Sequence, residues 1–135
     1  MVERALTLPV RALGKQRARR GKGGVWYTPE ATRAAERRIA TEWMAARLGR
    51  LSGPLSLRVV AEYAPPKSWS KAWKTSACGE PYAQKPDGSN VLKLVEDALN
   101  GVAYADDRQI AEVSIRQVYG AADSLTIEIR EMADA

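Results

Sequence analysis

Residues 85–110 read KPDGSNVLKLVEDALNGVAYADDRQI. Asp87-Gly88-Ser89-Asn90 carries helix-start residues, and Val91, Leu94, Val95, Ala98 and Leu99 then fall on one apolar face at helical spacing. Asn100-Gly101 stops that helix. Ala103 to Asp107 forms a connecting leg. Ile110, Val113, Ile115 and Val118 predict a strand with an early irregularity.

Outward from this stretch the chain alternates strands and helices. Arg4 to Val10 reads as a short strand ending at Pro9. Thr28 as N-cap, Pro29 at the first helical position and Glu30 in the first turn predict a helix. Its apolar stripe is Ala35, Ile39, Trp43, Ala46 and Leu48, and Gly49 ends it. Pro54 to Ala64 is a strand, and Leu125, Ile127 and Ile129 alternate in the last one. Gly120 to Ser124 reads as a hairpin connection between the final two strands. The expected architecture is one α+β domain over residues 1–135, a small mixed sheet with two main helices. Residues 11–24 are a basic flexible arm, and residues 65–86 a long basic and aromatic loop with room for a helical turn.

Composition narrows the chemistry. The 135 residues suit one domain, and the formal charge of +5 favours an anionic partner. There is no histidine and a single cysteine, Cys78. Histidine triads, Cys–His nucleophiles, zinc clusters and internal disulfides are therefore excluded. Catalysis must rest on carboxylates, lysine, arginine, hydroxyls or a metal held by oxygen, which favours Mg2+ or Mn2+. With no apolar leader and no bilayer-length apolar run, a soluble cytoplasmic protein is expected.

Asp87 precedes the helix, and Asp106-Asp107 follow its return leg. A helix of about 11 residues rises roughly 16 Å. Six or seven extended residues span at most about 20–24 Å, so the leg can carry its acids back toward Asp87. Carboxylates gathered in this way can hold Mg2+ for phosphodiester hydrolysis, and a nearby lysine such as Lys93 can neutralise phosphate charge. The same residues also have purely structural uses. Asp87 can cap the helix, Asp106-Asp107 can form a turn, and Lys93 can pair with Asp97 at i,i+4.

Cations cluster elsewhere. Arg17, Arg19 and Arg20 lie in an arm without acids, which suits phosphate contact or simple solvation. Lys67, Trp69, Lys71, Trp73 and Lys74 interleave cations with indoles, as a strand-tracking surface would. Alternatively, the two tryptophans pack on the body and leave the lysines in solvent. Lys85 adds a further cation just before Asp87.

The run Lys85-Pro86-Asp87-Gly88-Ser89-Asn90-Val91-Leu92-Lys93, then Asp97-Ala98-Leu99-Asn100-Gly101, then Asp106-Asp107-Arg108-Gln109-Ile110 resembles the signature of the RusA-type Holliday-junction resolvases. That signature is approximately K-P-D-x-D-N-x-x-K, D-A-L-N-G and D-D-x-Q-[IV]. Looser agreement extends over Leu8-Pro9, Lys15-Gln16-Arg17 and Tyr27-Thr28-Pro29. Pro66 to Lys71 resembles a segment of phage-type members, which implies a bacterial, phage or prophage setting. The resemblance implies a Mg2+-dependent homodimer (Mn2+ as substitute) that binds four-way junction DNA and nicks two strands symmetrically. It implies Asp87 and Asp107, with Asp106 as possible substitute, as acidic metal-binding residues, and Lys93 as important for activity. Arg17, Arg19, Arg20, Lys67, Trp69, Lys71, Lys74 and Lys85 are the expected DNA contacts.

Ser89 departs from the pattern, standing where the signature has its second aspartate. A neutral hydroxyl is a much weaker Mg2+ ligand than a carboxylate. Three readings follow: a disabling substitution, a natural variant whose missing ligand comes from water or another acid, or a protein that binds junctions without cutting them. A basic RNA-binding module is a further alternative, with nothing specific to recommend it.

Overall fold

The strand Leu55–Tyr63 organises the molecule. It alternates strictly, burying Leu55, Leu57, Val59, Ala61 and Tyr63 on one face and turning Ser56, Arg58 and Glu62 to the other. In the computed structural model, which describes residues 2–132, the strands are β1 (Glu3–Leu8), β2 (Arg19–Arg20), β3 (Trp26–Tyr27), β4 (Leu55–Tyr63), β5 (Ile110–Tyr119) and β6 (Ser124–Glu131). The helices are α1 (Glu30–Ala45), α2 (Lys71–Ala77) and α3 (Gly88–Leu99). The main sheet is mixed, with order β1-β6-β4-β5, while β2 and β3 form a separate two-stranded hairpin. The class is α+β, as expected from the sequence. Among the described residues no helix is long and apolar enough to cross a membrane.

α1 and α3 supply the apolar layer over one face of the sheet, through Ile39 and Trp43 from α1 and Val91, Leu94, Val95, Ala98 and Leu99 from α3. The Trp43 indole N–H donates to the Gly49 carbonyl at 2.8 Å, so the buried ring keeps its polar edge satisfied. The opposite face of the sheet is polar, with Arg58 paired to Glu128 at 3.6 Å.

The expected hairpin between the last two strands is overturned. β5 and β6 are not neighbours, because β4 lies between them, parallel to β5 and antiparallel to β6. The apolar alternation explains this order. β4 and β6 both present fully buried faces and pair centrally, whereas β5 leaves Val113 half exposed and suits an edge. Gly120 to Asp123 therefore carries the chain past the end of β4. The Gly120 N–H donates to the Tyr63 carbonyl at 3.0 Å, and Asp123 accepts from the Ala64 N–H at 2.9 Å. A Cβ at Gly120 would lie 2.9 Å from a Glu62 carboxylate oxygen and 3.1 Å from its Cβ, so a larger residue there would displace the Glu62 side chain. The irregularity expected early in β5 is present opposite Leu55 and Ser56.

A parallel β4–β5 pair requires a long crossover, and residues 64–109 provide it, with α2 and α3 inside. α2 is the helical turn anticipated in the 65–86 loop, capped by the Ser70 hydroxyl, which accepts from the Trp73 N–H at 3.2 Å. Residues 79–82 then cover the C-terminal half of the β5 edge through the Gly79, Glu80 and Tyr82 backbone.

The bounds of α1 differ from expectation at both ends. Pro29, not Thr28, occupies the capping position, and no side chain caps it. The helix ends at Ala45, before Gly49, because Arg47 already adopts a left-handed φ of 56°.

Candidate active site

The candidate site is built at the N-terminus of α3. The Asp87 carbonyl accepts from the Asn90 and Val91 N–H groups and so starts the helix with its backbone. Its carboxylate makes no capping bond and is exposed, which leaves it free for a ligand. The residues before it are fixed from the core side. Gln117 donates to the Pro86 carbonyl at 3.1 Å, Tyr82 donates to the Lys85 carbonyl at 2.6 Å, and Arg11 donates to the Tyr82 hydroxyl at 3.1 Å.

The arm closes the other side. The Lys15 N–H donates to the Asn90 carbonyl at 2.8 Å, docking the arm on the first turn of α3. Gly14 permits this approach, since a Cβ there would stand 3.1 Å from both the Asn90 and Pro86 Cβ atoms. Between arm and helix lies a cleft of about 510 Å3, lined by Arg11, Lys15, Gln16, Lys85, Asp87 and Asn90 among others. Arg11 is paired to Asp123 at 3.3 Å and Lys15 to Glu36 and Asp97, so among the cleft cations Lys85 is the one in no ion pair among the described residues, beside Asp87 at the helix N-terminus.

Lys15 and Lys93 share one carboxylate. Lys15 lies 2.8 Å from Glu36 and 3.1 Å from Asp97, and Lys93 lies 3.2 Å from the other Asp97 oxygen. Partial burial works against the Lys15 charge, but its bonds to Glu36 and Asp97 outweigh this and hold its pKa above the ordinary lysine value. The bond to Asp97 likewise raises the Lys93 pKa. Both amines are therefore cationic at neutral pH.

Asp106 and Asp107 have different surroundings. The Asp106 carboxylate caps the short turn Asp107–Gln109, accepting from the Arg108 N–H at 2.9 Å, and that bond holds its pKa below the ordinary value. Asp107 lies instead within electrostatic reach of Lys93 and Glu96, roughly two turns of α3 beyond Asp87. Glu96 is an acid that the sequence reading missed. Burial, then the neighbouring Asp107 and Asp97 charges, raise its pKa against the opposing pull of Lys93. Its position one turn beyond Lys93 was the available signal. Among the described residues no three Asp, Glu, Cys or His side chains gather closely enough to hold an ion. The donors suit a hard cation in kind, being all oxygen, but fall short in number, and Ser89 brings no carboxylate to Asp87.

The expected DNA contacts divide into three groups. Lys85 joins the cleft with Arg11 and Lys15. Arg17, Arg19 and Arg20 lie in and beside the exposed β2–β3 hairpin. Lys67, Trp69, Lys71 and Lys74 lie in and before α2. Trp69, the indole expected to contact DNA, packs on Tyr119 at 5.6 Å between ring centres, while Trp73 is 69% exposed. A chain of aromatic contacts runs from Trp73 through Trp69, Tyr119 and Tyr82 to Tyr63, linking α2 to the cleft. Burial, with Tyr82 stacked alongside, pushes the Tyr63 phenol up to about 12.

Comparison with known proteins agrees with the motif. The chain is 32% identical over 87 residues to "Uncharacterized protein YqaN" of Bacillus subtilis (strain 168), a match over 62% of this chain and 61% of that protein. The chain thus spans about three-fifths of the length of this curated relative. The family model described as "Endodeoxyribonuclease RusA" matches residues 9–130, which takes in the whole cleft, α3 and both acids of the Asp106-Asp107 pair, and the chain belongs to the RusA endodeoxyribonuclease family.

Proposed function

We propose that this chain is a structure-selective endodeoxyribonuclease that resolves four-way DNA junctions as a homodimer, with Mg2+ or Mn2+ required. The observation that carries the reading is the free Asp87 carboxylate on the wall of a cleft lined by Arg11, Lys15 and Lys85, in a chain of this family. Arg11 and Lys85 hold a phosphodiester against the helix N-terminus. Asp87 orients the attacking water and accepts its proton. Lys93, paired to Asp97 at 3.2 Å, neutralises charge developing on the phosphate. Asn90 orients the site. Asp87 and Asp107 would hold the metal ion, with Asp106, whose carboxylate also caps the turn, as the substitute for Asp107. A two-fold dimer would present two such clefts to the two equivalent strands of a junction.

The test is nicking of an end-labelled four-way junction beside a matched linear duplex, with Mg2+, with Mn2+ and with EDTA. Paired, metal-dependent nicks on the junction alone are expected. Equal cutting of linear duplex, or nicking that persists in EDTA, would overturn the reading.

Ser89, together with the absence of a three-acid cluster among the described residues, favours one second reading. In it the chain binds junctions and cuts them slowly or not at all. Tight junction binding that ignores metal, with no product, supports that alternative.

A further inference from the structure

The β2–β3 hairpin stands apart from the main sheet. Arg19 pairs with Tyr27 and Arg20 with Trp26, and the turn between them passes through Gly23 and Gly24 at φ 74° and 78°. Among the described residues the hydrogen bonds of residues 17–27 stay within the hairpin and its turn. Arg17, Arg19, Arg20 and Lys22 take part in no ion pair among the described residues. No Asp or Glu occurs between Glu3 and Glu30. On the same hairpin three consecutive apolar residues face solvent: Val25 at 67%, Trp26 at 67% and Tyr27 at 48% exposure.

Exposed apolar side chains on both faces of a hairpin, Trp26 on one and Tyr27 on the other, mark an interaction surface. Its charge selects the occupant. Unneutralised cations beside these side chains repel a second copy of the same basic hairpin and attract a polyanion. The polyanion must also offer a flat apolar face for an indole, and an unpaired nucleobase does so. In a branched DNA such bases are most accessible at the point where the strands cross. Arg20 shares a hairpin face with Trp26, so a phosphate at Arg20 brings the neighbouring base within reach of the ring.

We infer that the hairpin is a branch-point probe: Trp26 stacks on an unpaired base at the crossover while Arg19, Arg20 and Lys22 hold the flanking phosphates. This deepens the junction-DNA reading and rests on it.

The test is made in EDTA, where binding is read apart from cutting. The probe is a four-way junction with 2-aminopurine at the branch point, beside the same label inside a linear duplex. The full chain is expected to change the junction emission. Trp26→Ala is expected to abolish that change and to weaken junction binding about tenfold, with duplex binding unaltered, and Trp26→Phe to retain both. Sedimentation of Trp26→Ala and of the unmodified chain should give the same oligomeric state. Equal junction affinity and emission for Trp26→Ala would overturn the inference and leave the junction reading standing. A shift in oligomeric state would overturn it in favour of a protein interface. Failure of the unmodified chain to prefer the junction would overturn both.

Discussion

Lys15 and Asp97 are held 3.1 Å apart across the junction of arm and helix, and the same carboxylate restrains Lys93 at 3.2 Å. The arm, the site helix and the motif lysine therefore share a single anchor. Asp97→Asn removes both attractions, leaving Lys15 with Glu36 alone. Because Lys15 and Asp97 are mostly buried, a loss of about 1–2 kcal/mol is expected in urea unfolding, with a lowered Lys93 pKa in NMR titration. Unchanged stability and an unchanged Lys93 titration would show that the anchor is ornamental.

Ser89→Asp restores a carboxylate two residues from Asp87. Mg2+-dependent nicking should rise by roughly tenfold or more, because a carboxylate binds Mg2+ far better than a neutral hydroxyl. The measurement is the initial rate on a labelled junction across a Mg2+ titration, and identical curves for both forms would sink the idea.

Glu96 predicts a pH effect of definite sign. Its pKa is raised in the folded chain, chiefly by burial, so the native state binds its proton more tightly than the unfolded state does. Stability is therefore lost as pH rises from the ordinary glutamate value through the raised folded value. Glu96→Gln should be more stable than the parent at pH 7, with the gain disappearing near pH 4. Denaturation midpoints at the two pH values check this, and a gain of equal size at both would refute it.

Gly14→Ala places a methyl group 3.1 Å from the Asn90 and Pro86 Cβ atoms. The arm and α3 must give by a few tenths of an ångström, at a cost of about 1 kcal/mol. Junction affinity should fall with it, since Arg11 and Lys15 line the cleft from this arm. Thermal unfolding and a binding isotherm read the two effects separately, and affinity that survives the change would mean that the arm position does not matter.

Lys71→Ala/Lys74→Ala tests the α2 surface. If each lysine neutralises one phosphate, the slope of log K against log salt should fall by about 1.8. An unaltered slope would remove α2 from the DNA interface.

Much of this molecule is legible in its residues because local signals agree with tertiary packing. The helix over Gly88–Leu99 has its start signals, apolar face and Asn100-Gly101 stop in register, and the fold keeps all three. The neighbours of β4 could not be read in this way. Strand order depends on which apolar faces bury together, and the alternation in β5 gives no sign that Val113 would remain half exposed. The cleft was visible only in halves. Asp87 and Lys85 belong to the motif, but the docking of Lys15 on Asn90 is a long-range backbone bond that no local pattern encodes. Glu96 went unread because its surroundings come from Asp107 and Tyr104 across the return leg.

The pairing of β1 with β6 has a temporal consequence. The first strand waits for the last, and the helix bearing Asp87 lies within the crossover that joins two parallel partners. Such contacts close late and slowly, because the entropy of long loops must be overcome first. A nascent chain halted before Glu131 would expose the basic arm without a finished sheet to hold the cleft beside it. The sheet that braces the cleft is thus among the last parts of the polypeptide to be completed.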